Sequence, residues 1–338
     1  MAVARRQLLG LGAAVAASLV TSACQDGGLD VVDARSSVPT LPTPGPSTPQ
    51  GEPTPAKPAF AGQPPPGTLY YGASLPHHRV LPAWESALGT RLALNRSYFT
   101  PDHNETAQLF RRCRDDLAHG RLPHVSIKPW GTWGDIAAGR RDVWLTGLLR
   151  VLGDEPGPVF LTLHHEPENE AGPVGMGPAD FVAMQGRAIR LAAELAPQVT
   201  IVPVLQHWTF DPSRRDTEPA AWLVPDAAVM GLDIYNPWSP SNRKQWRSFG
   251  SKVDEVIGWF GTTPLAIGEY GCRANPDVPG LAVEWLRDAA EYARTHNIVS
   301  MSYFNSGVGA QDGSWRLSGA TELAFAELLA SDWVARVV

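Results

Sequence analysis

The chain has 338 residues and a formal net charge of −6, with 28 Lys and Arg against 34 Asp and Glu. No basic stripe or lysine-rich patch interrupts that balance, which argues against nucleic acid as a partner. The 3 cysteines show no zinc-type spacing, so neither a metal nor a cofactor is expected.

The opening residues, MAVARRQLLGLGAAVAASLVTSAC, carry an Arg pair, a short apolar core and small residues before Cys24. That layout predicts an export signal over residues 1–24 rather than a membrane span, because the apolar run is too short to cross a bilayer. RRQLLG points to the twin-arginine route. VTSAC resembles a lipobox with Thr21 where leucine is usual, making Cys24 the expected lipidation site. The expected location is extracytoplasmic, on the outer face of the cell membrane, with cleavage and release as the alternative. Residues 25–66 change character: eleven of the 31 prolines fall between Pro39 and Pro66, mixed with Thr, Ser and Gly. Such a segment cannot bury a core and reads as an extended linker. Residues 67–338 have the length of one α/β barrel, expected as a monomer. Their cysteines, Cys113 and Cys272, fall on distant parts of that barrel and are expected as two thiols.

Short apolar runs then recur with helical patterns between them. The expected strands are TLYYGASL (68–75), LALNRSYF (92–99), HVSIKPW (124–130), PVFLTLHHE (158–166), TIVPVLQHW (200–208), VMGLDIYNP (229–237), PLAIGEYG (264–271) and IVSMSYFN (298–305). Eight is the number that closes a parallel (β/α)8 TIM barrel. Between them, Phe181, Met184, Ala188 and Leu191 form one apolar helical stripe, and Trp246, Phe249, Val253, Val256 and Phe260 another. Strand alternation places Gly231, Asp233 and Tyr235 inward, and likewise Thr162, His164 and Glu166. Leu265, Ile267 and Glu269 share one side.

Glu166 ends the fourth expected strand and Glu269 the seventh, so the two carboxylates face each other across the C-terminal mouth, where barrel enzymes build their sites. Two opposed carboxylates are the equipment of glycoside hydrolysis: one protonates the leaving oxygen while the other attacks the anomeric carbon or activates water. His164 and His165 are adjacent on a strand and point apart, which disfavours a metal. Asp233 reads as a buried structural acid, and Glu168 and Glu170 as solvated loop charges or the start of the next helix.

The strings HHEP (164–167) and IGEYG (267–271) resemble those of clan A glycoside hydrolases, most closely family 26, the β-mannanase family, where His precedes the acid/base. The resemblance spans the barrel but rests on short motifs. It implies a retaining, endo-acting β-glycosidase with Glu166 as acid/base and Glu269 as nucleophile, acting on an extracellular polysaccharide, β-mannan first. It also implies that Tyr235 donates to Glu269 and that His165 orients Glu166 or touches a sugar hydroxyl. Where the family often shows Met-Asn-Gly after the acid/base, this chain has Pro167, Glu168 and Asn169. Arg96, at the second strand's end, is a further candidate to steady Glu269. Sugar rings pack their C–H faces on aromatic planes, and the chain has 12 tryptophans. Trp130, Trp133, Trp208, Trp238 and Phe304 are expected at the mouth, and Trp144, Trp259 and Trp285 in the core. The competing readings are a non-hydrolytic carbohydrate-binding lipoprotein on the same barrel and a hydrolase of cell-envelope glycans.

Overall fold

The computed structural model describes residues 58–77, 80–242, 244–307 and 313–338. The expected export signal with Cys24, and most of the expected linker, lie outside them. The described strands are β1 (Tyr70–Ser74), β2 (Leu94–Phe99), β3 (Leu122–Ile127), β4 (Val159–Leu163), β5 (Val199–Ile201), β6 (Val204–Gln206), β7 (Met230–Tyr235), β8 (Leu265–Gly271) and β9 (Ile298–Phe304). All pair in parallel, in the order β5-β4-β3-β2-β1-β9-β8-β7-β6.

The two ends of that order are one barrel strand broken at Val202–Pro203. Proline has no N–H to give to a ladder, so pairing is interrupted there. The bonds resume on both sides of the break: Val202 N–H donates to Leu161 O at 2.9 Å, and Gly231 N–H to Pro203 O at 2.7 Å. Leu161 belongs to β4 and Gly231 to β7, so the ring closes with eight staves, as the sequence predicts.

Inside the ring the side chains stack in layers. Tyr70, Leu94, Leu122, Phe160, Val202, Val204 and Ala266 form an apolar floor. Alternation along β2 then carries Leu94 to Arg96 to Tyr98, from apolar floor through a buried cation to a phenol at the mouth. The larger core lies between strands and helices, where Leu161, Leu163, Leu232 and Ile267 meet Phe181, Met184, Ala188 and Phe249. The stripe of the Pro178–Leu195 helix faces that layer as expected, except that Leu191 is only partly buried while Ala192 is buried. The second stripe belongs to a shorter helix than its periodicity suggests: it covers only Phe249–Asp254 and continues as a 3-10 turn over Ile257–Trp259.

The domain begins before the expected boundary at residue 67. Phe60 packs on the floor with its ring 6.3 Å from that of Phe160, and Thr200 Oγ1 donates to Ala61 O at 2.8 Å. The prolines of 64–66 hid a segment anchored by one aromatic. Cys113 and Cys272 are buried free thiols.

Candidate active site

The strand-end glutamates reach the mouth by two backbone irregularities that strict alternation does not describe. β4 ends at Leu163, and His164 and Glu166 both take left-handed conformations, with φ of 60° and 50°. For residues other than glycine this costs on the order of 1–3 kcal/mol, and such strain gathers at functional sites. Ladder-like bonds hold it: His164 N–H donates to Ile127 O and Glu166 N–H to Val204 O, both at 3.0 Å. The turn reverses the expected parity of the histidines. His164 leaves the barrel, accepting from Trp133 Nε1 at 2.9 Å. His165 enters it, with Nδ1 2.9 Å from Ser126 Oγ and its ring 5.1 Å from that of Tyr98.

The second irregularity is a bulge in β8. Leu232 pairs with Ile267 but Asp233 with Glu269, so Gly268 is the extra residue. Leu265 and Ile267 face the helices; without the bulge Glu269 would follow them outward. A Cβ at Gly268 would lie 2.5 Å from Asp233 Oδ1 and 3.0 Å from Val204 Cγ1. Only glycine lets the strand turn Glu269 inward beside Asp233.

Carboxylate oxygens of Glu166, Asp233 and Glu269 then lie within 4.8 Å of one another. Glu269 is held by two phenols: Tyr98 donates to Oε1 at 2.6 Å and Tyr235 to Oε2 at 2.5 Å. Both hydroxyls are pushed well above the usual phenol range, by burial first and then by the Glu269 charge, so both stay protonated donors. Beneath them Arg96 is buried, its Nη1 donating to His124 Nε2 at 2.7 Å and its guanidinium 5.2 Å from the Tyr98 ring. It makes no direct hydrogen bond to Glu269, but its charge acts on both Glu269 and Asp233. Burying an unpaired guanidinium costs several kcal/mol, and the facing carboxylates offset that cost. His124 and His165 are driven down, His124 well below the usual range and His165 to about 3, by burial first and by Arg96 next; both are neutral.

Glu166 sits differently. Asn169 Nδ2 donates to its Oε2 at 3.0 Å, and the Gln206 side chain also hydrogen-bonds it. Burial, then the charges of Glu269 and Glu168, raise it to about 7. Asp233, with both oxygens buried and unpartnered, is raised well above the ordinary range by burial first and then by the charges of Glu269 and Glu166. The environment thus raises the carboxyl of Glu166 and surrounds Glu269 with donors. The three acids could also bracket a divalent cation. The phenols already engage both Glu269 oxygens, and Arg96 supplies the positive charge, which favours the proton-sharing arrangement.

The aromatic expectations divide. Trp130 is 48% exposed, and Phe304 packs edge-on against Tyr235 at 6.1 Å. Trp208 is half-buried beneath the Arg214 guanidinium, 4.4 Å away. Trp238 is buried against Trp246 and offers no platform. Trp133 is also core: the Thr132–Asp135 capping box starts a helix there and turns the indole onto Phe181 and Trp222. Trp259, expected in the core, is 44% exposed. Glu168 lies in a short 3-10 turn, Pro167–Asn169, and is no solvated loop charge, since its Oε1 accepts from Gln206 N–H at 2.9 Å and Thr209 Oγ1 at 2.6 Å.

Tyr98 and Trp315 were missed in the sequence. The inward alternation of β2 carries a signal for Tyr98. Trp315 packs at a tilt with its ring 4.6 Å from that of Tyr235, under Arg273, 3.8 Å away, and lies in an irregular segment with no periodicity to read.

No family model matches the chain, and no curated protein matches it in sequence. Solved structures do. The GH26-CBM35 β-(1,4)-mannanase of Podospora anserina superposes with a TM-score of 0.50 at 16% identity, over 82% of this chain and 63% of that one. This chain therefore spans less than two thirds of that enzyme. GH26C of Muricauda sp. gives 0.54 at 13% identity, over 82% of this chain and 88% of that one. A Thermotoga maritima β-glucosidase, solved with deoxynojirimycin, gives 0.55 at 11%, over 81% and 99%. These glycoside hydrolases, GH26 enzymes among them, share the parallel (β/α)8 barrel with this chain; at these identities the likeness is one of fold alone.

Proposed function

We propose that this protein is a retaining β-glycoside hydrolase of an extracellular polysaccharide, with β-mannan as the first substrate to test. The observation that carries the reading is the approach of Glu166 and Glu269 oxygens to within 4.8 Å. Carboxyl groups about 5–5.5 Å apart suit a covalent intermediate, whereas inverting pairs stand about 6.5–9.5 Å apart to admit water. In the first step a Glu269 oxygen bonds to the anomeric carbon as the bond to the leaving oxygen breaks. Glu166 gives that oxygen its proton. In the second, Glu166 takes a proton from water, whose oxygen displaces Glu269 with a second inversion. The phenols of Tyr98 and Tyr235 donate to both oxygens of the nucleophile and hold it in position.

Digestion of β-mannan, β-glucan and xylan, followed by assay of new reducing ends, tests the reading. Cleavage of one β-glycan is expected. Failure of well-folded protein on all three, with binding intact, would favour the non-hydrolytic carbohydrate-binding alternative. The N-terminal pattern ending at Cys24 supports export and lipid anchoring. Mass spectrometry of membrane-extracted protein should find a diacylglyceryl-modified Cys24, and an unmodified soluble form would overturn the anchor.

A further inference from the structure

Beside the site, the loops after β6 and β7 border an open cavity of about 820 Å³ whose wall includes Trp208 and Pro237. Lys252 forms part of its wall although the side chain is only 7% exposed. Its ammonium's hydrogen-bond partner is the Nδ1 of His207, 3.3 Å away, and no carboxylate pairs with it among the described residues. His207 is itself neutral, lowered to about 4 by burial and by the Lys252 charge. Lys252 is lowered in turn, by burial first and then by the positive charge of Arg247, with Lys244 adding to it; Glu255 and Asp211 offset only part.

The remaining charges of the wall leave a positive excess. Asp216 is taken up by Arg214, and Asp211 accepts from Ser213 N at 2.8 Å and Ser213 Oγ at 2.6 Å. Arg215 and Lys244 line the same cavity with no ion pair among the described residues. A buried, undercompensated ammonium in a chain of net charge −6 needs a reason.

We propose that this cavity is a subsite for an anionic group of the glycan, a carboxylate or an acidic ester, on the side of the leaving group. Lys252 forms its floor, Arg215 and Lys244 its rim, and Trp208, with Arg214 over its ring, part of the wall that the charged sugar contacts. The side follows from the chain: Gln206, which bonds Glu166, immediately precedes His207 and Trp208. The placement on the leaving-group side rests on the hydrolase reading; the anion site itself does not.

The test titrates 15N-labelled full-length protein with sodium glucuronate, glucose as the neutral control, and follows the indole N–H signals, with Trp208 assigned by Trp208→Phe. A saturable shift of the Trp208 signal is expected with glucuronate, about tenfold or more tighter than with glucose, the ratio of one charge-assisted contact. Lys252→Met and, because it touches only exposed residues, the double variant Arg215→Ala/Lys244→Ala should both erase that preference. An unmoved Trp208 signal, an equal response to glucose, or a preference that survives both variants would overturn the proposal. Turnover is measured separately, on a neutral β-glycan and its carboxymethylated form. Glucuronate binding without turnover on either would sink the hydrolase reading and leave the subsite standing.

Discussion

Replacing Glu166 by Gln removes an ionisation that folding opposes. The carboxyl is raised from 4.5 to about 7, by burial first and then by Glu269 and Glu168. The sign follows from proton counts. Below the unfolded value both states hold the proton, and the carboxyl adds no pH dependence. Between the two values the unfolded chain has released its proton while the folded chain retains it, so stability falls as pH rises. Above the folded value the loss is complete, at about 3 kcal/mol for a shift of this size. Glu166→Gln keeps the shape and the hydrogen bond from Asn169 but cannot ionise. In urea unfolding it should match the wild type near about pH 4 and exceed it by about 2–3 kcal/mol near about pH 8, while turnover falls on substrates with poor leaving groups. A stability difference that does not change with pH would refute the claim that burial and like charge tune this residue.

Two further outcomes are expected. Tyr98→Phe and Tyr235→Phe each delete one charge-assisted bond to Glu269, worth about 1.5–3 kcal/mol, so kcat/KM should fall about 10- to 100-fold in each. Steady-state kinetics on an aryl glycoside checks this, and a loss confined to only one of the two would break the paired-clamp description. Gly268→Ala sets a methyl 2.5 Å from Asp233 Oδ1 and should cost about 1–3 kcal/mol by thermal unfolding, with activity lost through the displaced Glu269. Unchanged activity would mean the bulge is not what aims the nucleophile.

Much of this architecture could be read before any coordinates. The eight apolar runs carry the barrel because a parallel strand buried on both faces must be apolar nearly throughout. The end of a run is where its carboxylate shows. What periodicity cannot carry is its own interruption. The bulge at Gly268 and the left-handed residues His164 and Glu166 change which side chain faces inward while leaving the composition of the run untouched. Alternation therefore put His164 rather than His165 in the barrel, and it reached the right side for Glu269 only because the bulge intervened. The aromatic errors have another cause. A tryptophan following a strand is equally a platform or the first core residue of the next helix, and the cap at Thr132 decides which for Trp133. Tyr98 was legible in the alternation of β2; its importance depends on β2 and β8 facing each other across the ring, a relation of topology and not of sequence neighbourhood. Cys24 and the residues before it lie outside the described structure.

The most direct test of the carboxylate pair is to trap the intermediate. Incubation with a 2-deoxy-2-fluoro-β-glycosyl fluoride of whichever sugar is cleaved, followed by peptide mass mapping, should find one glycosyl group on the peptide containing PLAIGEYG, esterified to Glu269. A label on any other residue, or steady turnover to an inverted product with no label at all, would contradict the account.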